Sequence, residues 1–319
     1  MTTTMASSTL SSLWKSVERE EKGEIMKTNV FIKLVSDRHR EKEMTLDIEW
    51  GFRIFREFAL RFTRFESESE LSRFNDSEGG QVSRELFSLL RECTRFHKLT
   101  RGVFDPSVLP TLEKIGYGTA GHVHDKKSAS RYSFQQLVFD ADEQSVHKPR
   151  DLRVDIGGIG KGYIVDKVAD QLSKKYAHGI VDAGGDMRVF GSDWEQGLKH
   201  WAIDVENPLD ISRTLTTLLL SNCAVATSGI NRKQWKKEGK THHHLIDPEK
   251  ETSAQTGLIS VTVVTLRATE ADVLAKTLFI LGLVRGQAFA KERDIPALFV
   301  TENGDIMRNA LFQKYEWKA

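Results

Sequence analysis

The chain has 319 residues, and its 46 Lys and Arg against 45 Asp and Glu leave a formal net charge of +1. That length supports a large core, or one domain built of two lobes, while the balanced charge removes any global field for nucleic acid or an anionic membrane, so an anion site has to be local. Two cysteines, Cys93 and Cys223, have neither C-x-x-C nor metal spacing and read as core residues of a chain in a reducing compartment.

In chain order, residues 1–23 are Ser/Thr-rich and then acidic, without the basic and apolar regions of a secretory signal, and read as a disordered tail ahead of a domain spanning 24–319. No apolar run long enough to cross a membrane is expected, which makes the protein cytoplasmic on this reading. Thr28 to Val35 alternates as a strand does. Lys42 to Phe62 carries Ile48, Phe52, Phe55 and Phe58 at helical intervals. A second helix is expected within Gln81 to Leu99, with Ser83 opening it and Leu86, Leu89, Leu90 and Cys93 on one face. The Gly102 to Pro106 stretch, GVFDP, then makes a turn in which Asp105 is extended because it precedes proline. From Thr111 to Lys148 the chain is polar and poorly periodic. His122, His124 and Asp125 there read as solvated loop residues rather than a metal site. A hairpin is expected at Gln135–Phe139 and Ser145–Lys148.

Leu152 to Leu172, LRVDIGGIGKGYIVDKVADQL, reads as strand, glycine turn and helix. A glycine turn entering a helix offers unpaired N–H groups and the positive end of the helix dipole, and Lys161 adds a full charge, so phosphate suits it. The spacing matches neither the P-loop, which needs Ser or Thr after Gly-Lys, nor G-x-G-x-x-G. A purely structural turn is the competing reading. Ile180 to Asp186 is a strand ending in glycines, followed by strands at Met187–Phe190, Trp201–Val205 and Leu215–Leu220. Thr227 and Ser228 suit a turn cap or phosphate oxygens. Asn231 to Lys240 is basic around Trp235, and three histidines, His242 to His244, follow. Ile259 to Val264 reads as a central strand, and Ala268 to Gly282 as a helix.

Several of these stretches, in this order, resemble the FAD:protein FMN transferase (ApbE-like) family. They are Met26-Lys-Thr, the run from Phe62 to Asn75, Gly102-Val-Phe-Asp-Pro106, Asp155-Ile-Gly-Gly-Ile-Gly-Lys161-Gly with Asp166, Asp182-Ala-Gly-Gly-Asp186, Ala226-Thr-Ser-Gly229, His244-Leu-Ile-Asp-Pro248 and Ala271-Asp-Val-Leu274. Periodicity by itself supports an α+β chain. The resemblance implies two mixed lobes around mainly antiparallel, T-fold-like sheet, and transfer of FMN from FAD to a Thr or Ser of a flavoprotein, with AMP leaving. It further implies an FAD site lined by Met26, Phe65, Val103, Phe104, Asp105, Asp155, Lys161 and Ile246, with His244 as proton acceptor. Phe65 stands where relatives often have Tyr.

The resemblance also implies Mg²⁺ held by the Gly158 carbonyl and Asp272, with a threonine one helical turn after the aspartate. Here that position is Lys276, and Thr277 is one place too far, about 100° round a regular helix. Either the metal loses a ligand to water, the ammonium competes with it, or a local bulge brings Thr277 round. The alternatives to transfer are an FAD pyrophosphatase that uses water as acceptor, and a flavin-binding protein without turnover.

Overall fold

Alternation along the strands sets the architecture. In Thr28–Asp37, Val30, Ile32 and Leu34 enter one core while Phe31 and Val35 enter another. Residues one apart in a strand face opposite sides of a sheet, so this sheet is covered on both faces. The computed structural model describes residues 16–117, 133–192 and 199–318. The stretch 118–132, with His122, His124 and Asp125, lies outside the described residues.

Eight strands form the main sheet: β1 (Ser16–Ile25), β2 (Thr28–Asp37), β3 (His178–Ala183), β4 (Asp186–Phe190), β5 (Cys223–Gly229), β6 (Leu258–Thr265), β7 (Ala297–Thr301) and β8 (Ile306–Arg308). They lie side by side in chain order, and every neighbouring pair is antiparallel. Four helices lie on one face: α1 (Glu41–Phe62), α2 (Arg84–Leu99), α3 (Gly160–Leu172) and α4 (Ala268–Glu292). Among them α1 packs on β1 and β2, α3 on β3 and β4, and α4 on β5 and β6. The other face carries the hairpin Trp201–Glu206 with Thr214–Leu220, whose Trp201, Val205, Leu218 and Leu220 share a core with Val189, Val225, Val264 and Val300. The expected α+β class with mainly antiparallel sheet is what the chain forms.

Ser83 caps α2, its Oγ accepting from the Leu86 N–H at 3.1 Å. The hairpin near residue 140 is present as Val138–Asp140 paired with Ser145–His147, and Asp105 is extended, with φ −131° and ψ 109°.

Three expectations are corrected. Residues 16–23 of the stretch assigned to a tail belong to β1, which pairs with β2 along its whole length. Its charges suit an outer strand, since they discourage pairing with another sheet, and Glu18 meets Lys33 at 2.5 Å. The turn between β1 and β2, Met26-Lys27, has φ of 58° and 56°, the left-handed pair that a two-residue hairpin needs. Residues 152–156 are not a strand. Val154 finds its backbone partner in a side chain: its N–H donates to Asn75 Oδ1 at 2.8 Å, and Asn75 Nδ2 donates to its carbonyl at 2.9 Å. By length and composition alone α4 is long and apolar enough to cross a membrane, contrary to expectation. In this fold Val273, Leu274, Ala275, Leu278 and Phe279 bury that apolar surface in the core, and the helix breaks at Gly282 (φ 75°, ψ 175°), where it was expected to end.

Candidate active site

Two helix N-termini meet at the glycine turn. Gly162, in the first turn of α3, lies so close to the start of α4 that a Cβ there would sit 2.4 Å from the Ala268 carbonyl oxygen. Only glycine permits that approach. Asp166 fixes the same junction from α3, accepting from the N–H groups of Ala268 (3.0 Å) and Thr269 (2.9 Å) and so capping α4 from outside. The turn itself is shaped by Asp155, whose N–H donates to the Pro106 carbonyl at 2.8 Å and whose Oδ1 accepts from the Gly157 N–H at 2.7 Å. Beside it, a Cβ on Gly158 would lie 3.0 Å from Phe104 Cε2 and 3.7 Å from Lys276 Cδ, so a ring and a lysine stem flank the turn.

Charge gathers around this junction. Lys161 Nζ lies 2.5 Å from Oδ2 of the buried Asp186. Asp182, whose Oδ1 accepts from the Gly185 N–H at 2.8 Å, has its carboxyl pushed up to about 7, chiefly by burial, with the neighbouring Asp186 charge acting the same way. Burial also pushes the Lys233 and Lys276 amines down, Lys276 to about 7, with Lys161 reinforcing both shifts.

The three histidines separate by their bonds. His243 uses both ring nitrogens: Nε2 donates to the Ala254 carbonyl at 2.9 Å, which fixes the tautomer, and Nδ1 accepts from the Leu245 N–H at 3.3 Å. His244 Nδ1 is buried without a hydrogen-bond partner, as is His242 Nδ1. Burial pushes the His244 imidazole down to about 3, and the Lys276, Lys233 and Lys161 ammonium groups add to that. It is therefore neutral near pH 7, with a nitrogen still to be bonded.

On the other side of Asp155 stands Arg64, with its Nε 2.7 Å from Asp155 Oδ2. Its guanidinium lies over the rings of Phe65 (4.4 Å) and Tyr117 (5.3 Å) and donates to the Tyr117 carbonyl at 3.0 Å. Phe65 is 46% exposed and lies beneath Lys27, the neighbour of Met26 in the β1–β2 turn. Tyr117 stacks on Trp235 and faces His244, with ring centroids 5.1 and 6.2 Å apart. Ile246 is buried with Leu112 and Ile115 against Tyr117 and Trp235. Val103 and Phe104 follow the α2 C-terminus, and the Phe104 carbonyl accepts from His97 Nδ1 at 3.0 Å. Asp105 Oδ1 accepts from Ser107 N (2.8 Å) and Oγ (2.6 Å), while its Oδ2 faces His97 Nδ1 at 3.8 Å.

The expected metal set does not fit a divalent cation. Asp272 is fully buried and each of its oxygens already has a partner: Oδ2 accepts from the Gly162 N–H at 3.2 Å, and Oδ1 accepts from the Lys276 ammonium. Lys276 stands at the position where the resemblance implies a threonine ligand. An ammonium has three donors and no lone pair, so it stands in the cation's place rather than in a ligand's. No bulge brings Thr277 round, because its hydroxyl donates to the Val273 carbonyl at 2.9 Å. Among the described residues no group of three or more His, Cys, Asp or Glu converges on a metal position.

Phe104, Gly158, Lys276 and Asp272 thus form one contiguous group, while Asp155, Phe65 and His244 are joined through Arg64 and Tyr117. Neither linker was singled out from the sequence, nor was Lys233. Arg64 lies inside the motif run beginning at Phe62, so a basic residue beside the expected aromatic was the available signal. Lys233 lies in the basic stretch Asn231–Lys240, which was marked only as a run, and Tyr117 carried no signal.

The ApbE family model matches residues 26–299. A FAD:protein FMN transferase of Vibrio cholerae is 30% identical over 295 residues, which cover 89% of this chain and 87% of that protein. One from Klebsiella pneumoniae is 28% identical over 269 residues, 80% and 82% of the two chains. The crystal structure of an ApbE protein from Thermotoga maritima superposes with a TM-score of 0.83 at 27% identity, covering 95% of this chain and all of that one. The flavin transferase ApbE from Vibrio cholerae gives 0.79 at 27% identity, covering 94% and 100%.

Proposed function

The chain belongs to the ApbE family, and from that premise we propose that it is an FAD:protein FMN transferase that moves the FMN half of FAD onto a threonine or serine hydroxyl of an acceptor flavoprotein and releases AMP. One observation carries the reading. A neutral imidazole with an unbonded buried nitrogen, His244, lies within the field of three lysines, Lys161, Lys233 and Lys276. Transfer from a pyrophosphate to a hydroxyl needs both: a base for the hydroxyl proton, and positive charge for the oxygens that gain charge as the phosphorus changes partners.

In this reading the acceptor oxygen attacks the phosphorus on the FMN side, its proton passes to His244, and the bond from that phosphorus to the bridging oxygen breaks, the electron pair leaving with AMP. The lysines that weaken His244 as a base are themselves offset by the bound pyrophosphate, so the imidazole becomes more basic when substrate is present. Asp155 and Lys161 address the nucleotide. Met26, Phe65, the Val103–Asp105 backbone and Ile246 line the flavin, which stacks on the exposed Phe65 ring as it would on a tyrosine, without a hydroxyl contact.

The test is incubation with FAD and a candidate acceptor, followed by intact mass. An FMN adduct on the acceptor, absent when its Thr or Ser is changed to Ala, is the expected result. Free FMN and AMP without any acceptor would show that water takes the group instead.

A further inference from the structure

We propose that the Lys276 ammonium takes the place of a divalent cation in this chain, meeting the pyrophosphate directly, so that flavin transfer proceeds without added metal. The inference rests on the transferase reading above. Its basis is the Lys276–Asp272 pair.

Asp272 is fully buried, and its carboxylate is held by a backbone N–H from the first turn of α3, so it is a fixed point rather than a mobile surface acid. Lys276, one helical turn on, donates to that carboxylate, and its side chain is only 12% exposed. The contact sets the place of the ammonium. Its stem runs past Gly158, the residue whose missing side chain opens the glycine turn toward Phe104. Besides Asp272, the charges of Asp186, Lys161 and Lys233 act on Lys276, and its own is felt at His244, so it stands among the groups that surround the transfer. A divalent ion entering here would have to displace an ammonium from a buried carboxylate. Two positive charges a few ångströms apart in a partly desolvated site repel each other strongly. The threonine hydroxyl that would complete a metal site is turned onto Val273 instead.

In the reaction, the oxygen that bridges the two phosphorus atoms of FAD becomes a terminal oxygen of AMP and gains charge. Lys276 and Lys161 meet that charge. Lysine suits this as a compact ammonium with three donors, able to hold Asp272 with one and the leaving phosphate with the others.

The experiment has two independent readouts on the full-length protein. Calorimetric titration of Mg²⁺ into protein saturated with FAD, corrected for Mg²⁺ binding to FAD alone, is expected to show no site in the native chain and one site in Lys276→Thr. Transfer to an acceptor is expected to stay within about twofold in EDTA for the native chain. It should fall at least tenfold in Lys276→Met, and become Mg²⁺-dependent in Lys276→Thr. A native protein that binds Mg²⁺ at the FAD complex, or that loses transfer in EDTA and regains it with Mg²⁺, overturns the proposal even if neither variant folds. Failure of transfer under every condition, with FAD bound, would overturn the transferase reading instead, and the calorimetry would still judge Lys276.

Discussion

Arg64 Nε stands 2.7 Å from Asp155 Oδ2, with 8% and 15% of the two side chains exposed. The pair joins the loop after α1 to the glycine turn before α3 and holds Arg64 across Phe65 and Tyr117. Removing one partner leaves the other charge poorly solvated, which costs about 3–5 kcal/mol when a buried pair is broken. Arg64→Met is therefore expected to lower stability by roughly that amount and to weaken FAD binding. Arg64→Met with Asp155→Asn should recover part of the stability, because no lone charge remains. A double-mutant cycle in urea checks this, and additive losses would show that the two side chains act separately.

Asn75 serves Val154 as a neighbouring strand would, with one bond each way at 2.8 and 2.9 Å. In Asn75→Ala both backbone groups lose their partner, and each unsatisfied buried group costs about 1–3 kcal/mol. A loss of about 2–4 kcal/mol is expected, with weaker FAD binding because the turn at 155–158 is no longer anchored. Urea unfolding and flavin fluorescence titration measure the two effects. A destabilised protein with unchanged FAD affinity would separate the anchor from the site.

His243 and His244 should divide stability from chemistry. His243→Ala removes a ring bonded at both nitrogens and is expected to cost about 2–3 kcal/mol of stability. His244→Ala removes a ring with an unbonded Nδ1. It should leave stability and FAD affinity near native while transfer falls by about 10²–10⁴, the usual scale for loss of a general base. Paired thermal melts and transfer rates decide it, and an unchanged rate in His244→Ala would remove that imidazole from the reaction.

The sequence was legible where structure is local. Apolar spacing marks α1 and α2, Ser83 announces the start of α2, and Gly282 ends the regular part of α4 as expected. It was illegible where the deciding partner is distant. Val154 looked like a strand residue because its alternation is genuine, but the partner that settles its bonds is a carboxamide 79 positions away. β1 was hidden by charges along its length and by a turn of Met26 and Lys27, which carry none of the Asn or Gly that normally signal positive φ. For Lys276, helical spacing correctly set it beside Asp272. What spacing leaves open is whether such a lysine points to solvent or closes on the acid, and the burial of both groups decides that here.

Asp182 supplies a pH test with a definite sign. Its carboxyl is raised from an ordinary 3.8 to about 7, mainly because burial disfavours the carboxylate. The folded protein thus keeps a proton up to about pH 7 that the unfolded chain releases near pH 4, so between these values the folded state holds more protons and its stability falls as pH rises. The contribution is fully present below about pH 4 and is gone above about pH 7. Asn at this position accepts the Gly185 N–H as Asp182 Oδ1 does, but cannot ionise. Asp182→Asn is expected to match the native protein near pH 4 and to exceed it by about 2–4 kcal/mol at pH 8, a range that follows from about 1.4 kcal/mol per pKa unit reduced for partial exposure. Taking the difference between variant and native protein cancels the titration of His244 and Lys276, which shift in their own windows. Urea unfolding at pH 4 and pH 8 measures it. A difference that stays constant with pH would mean that Asp182 is ionised in the fold, with Lys161 and the Gly185 N–H outweighing its burial.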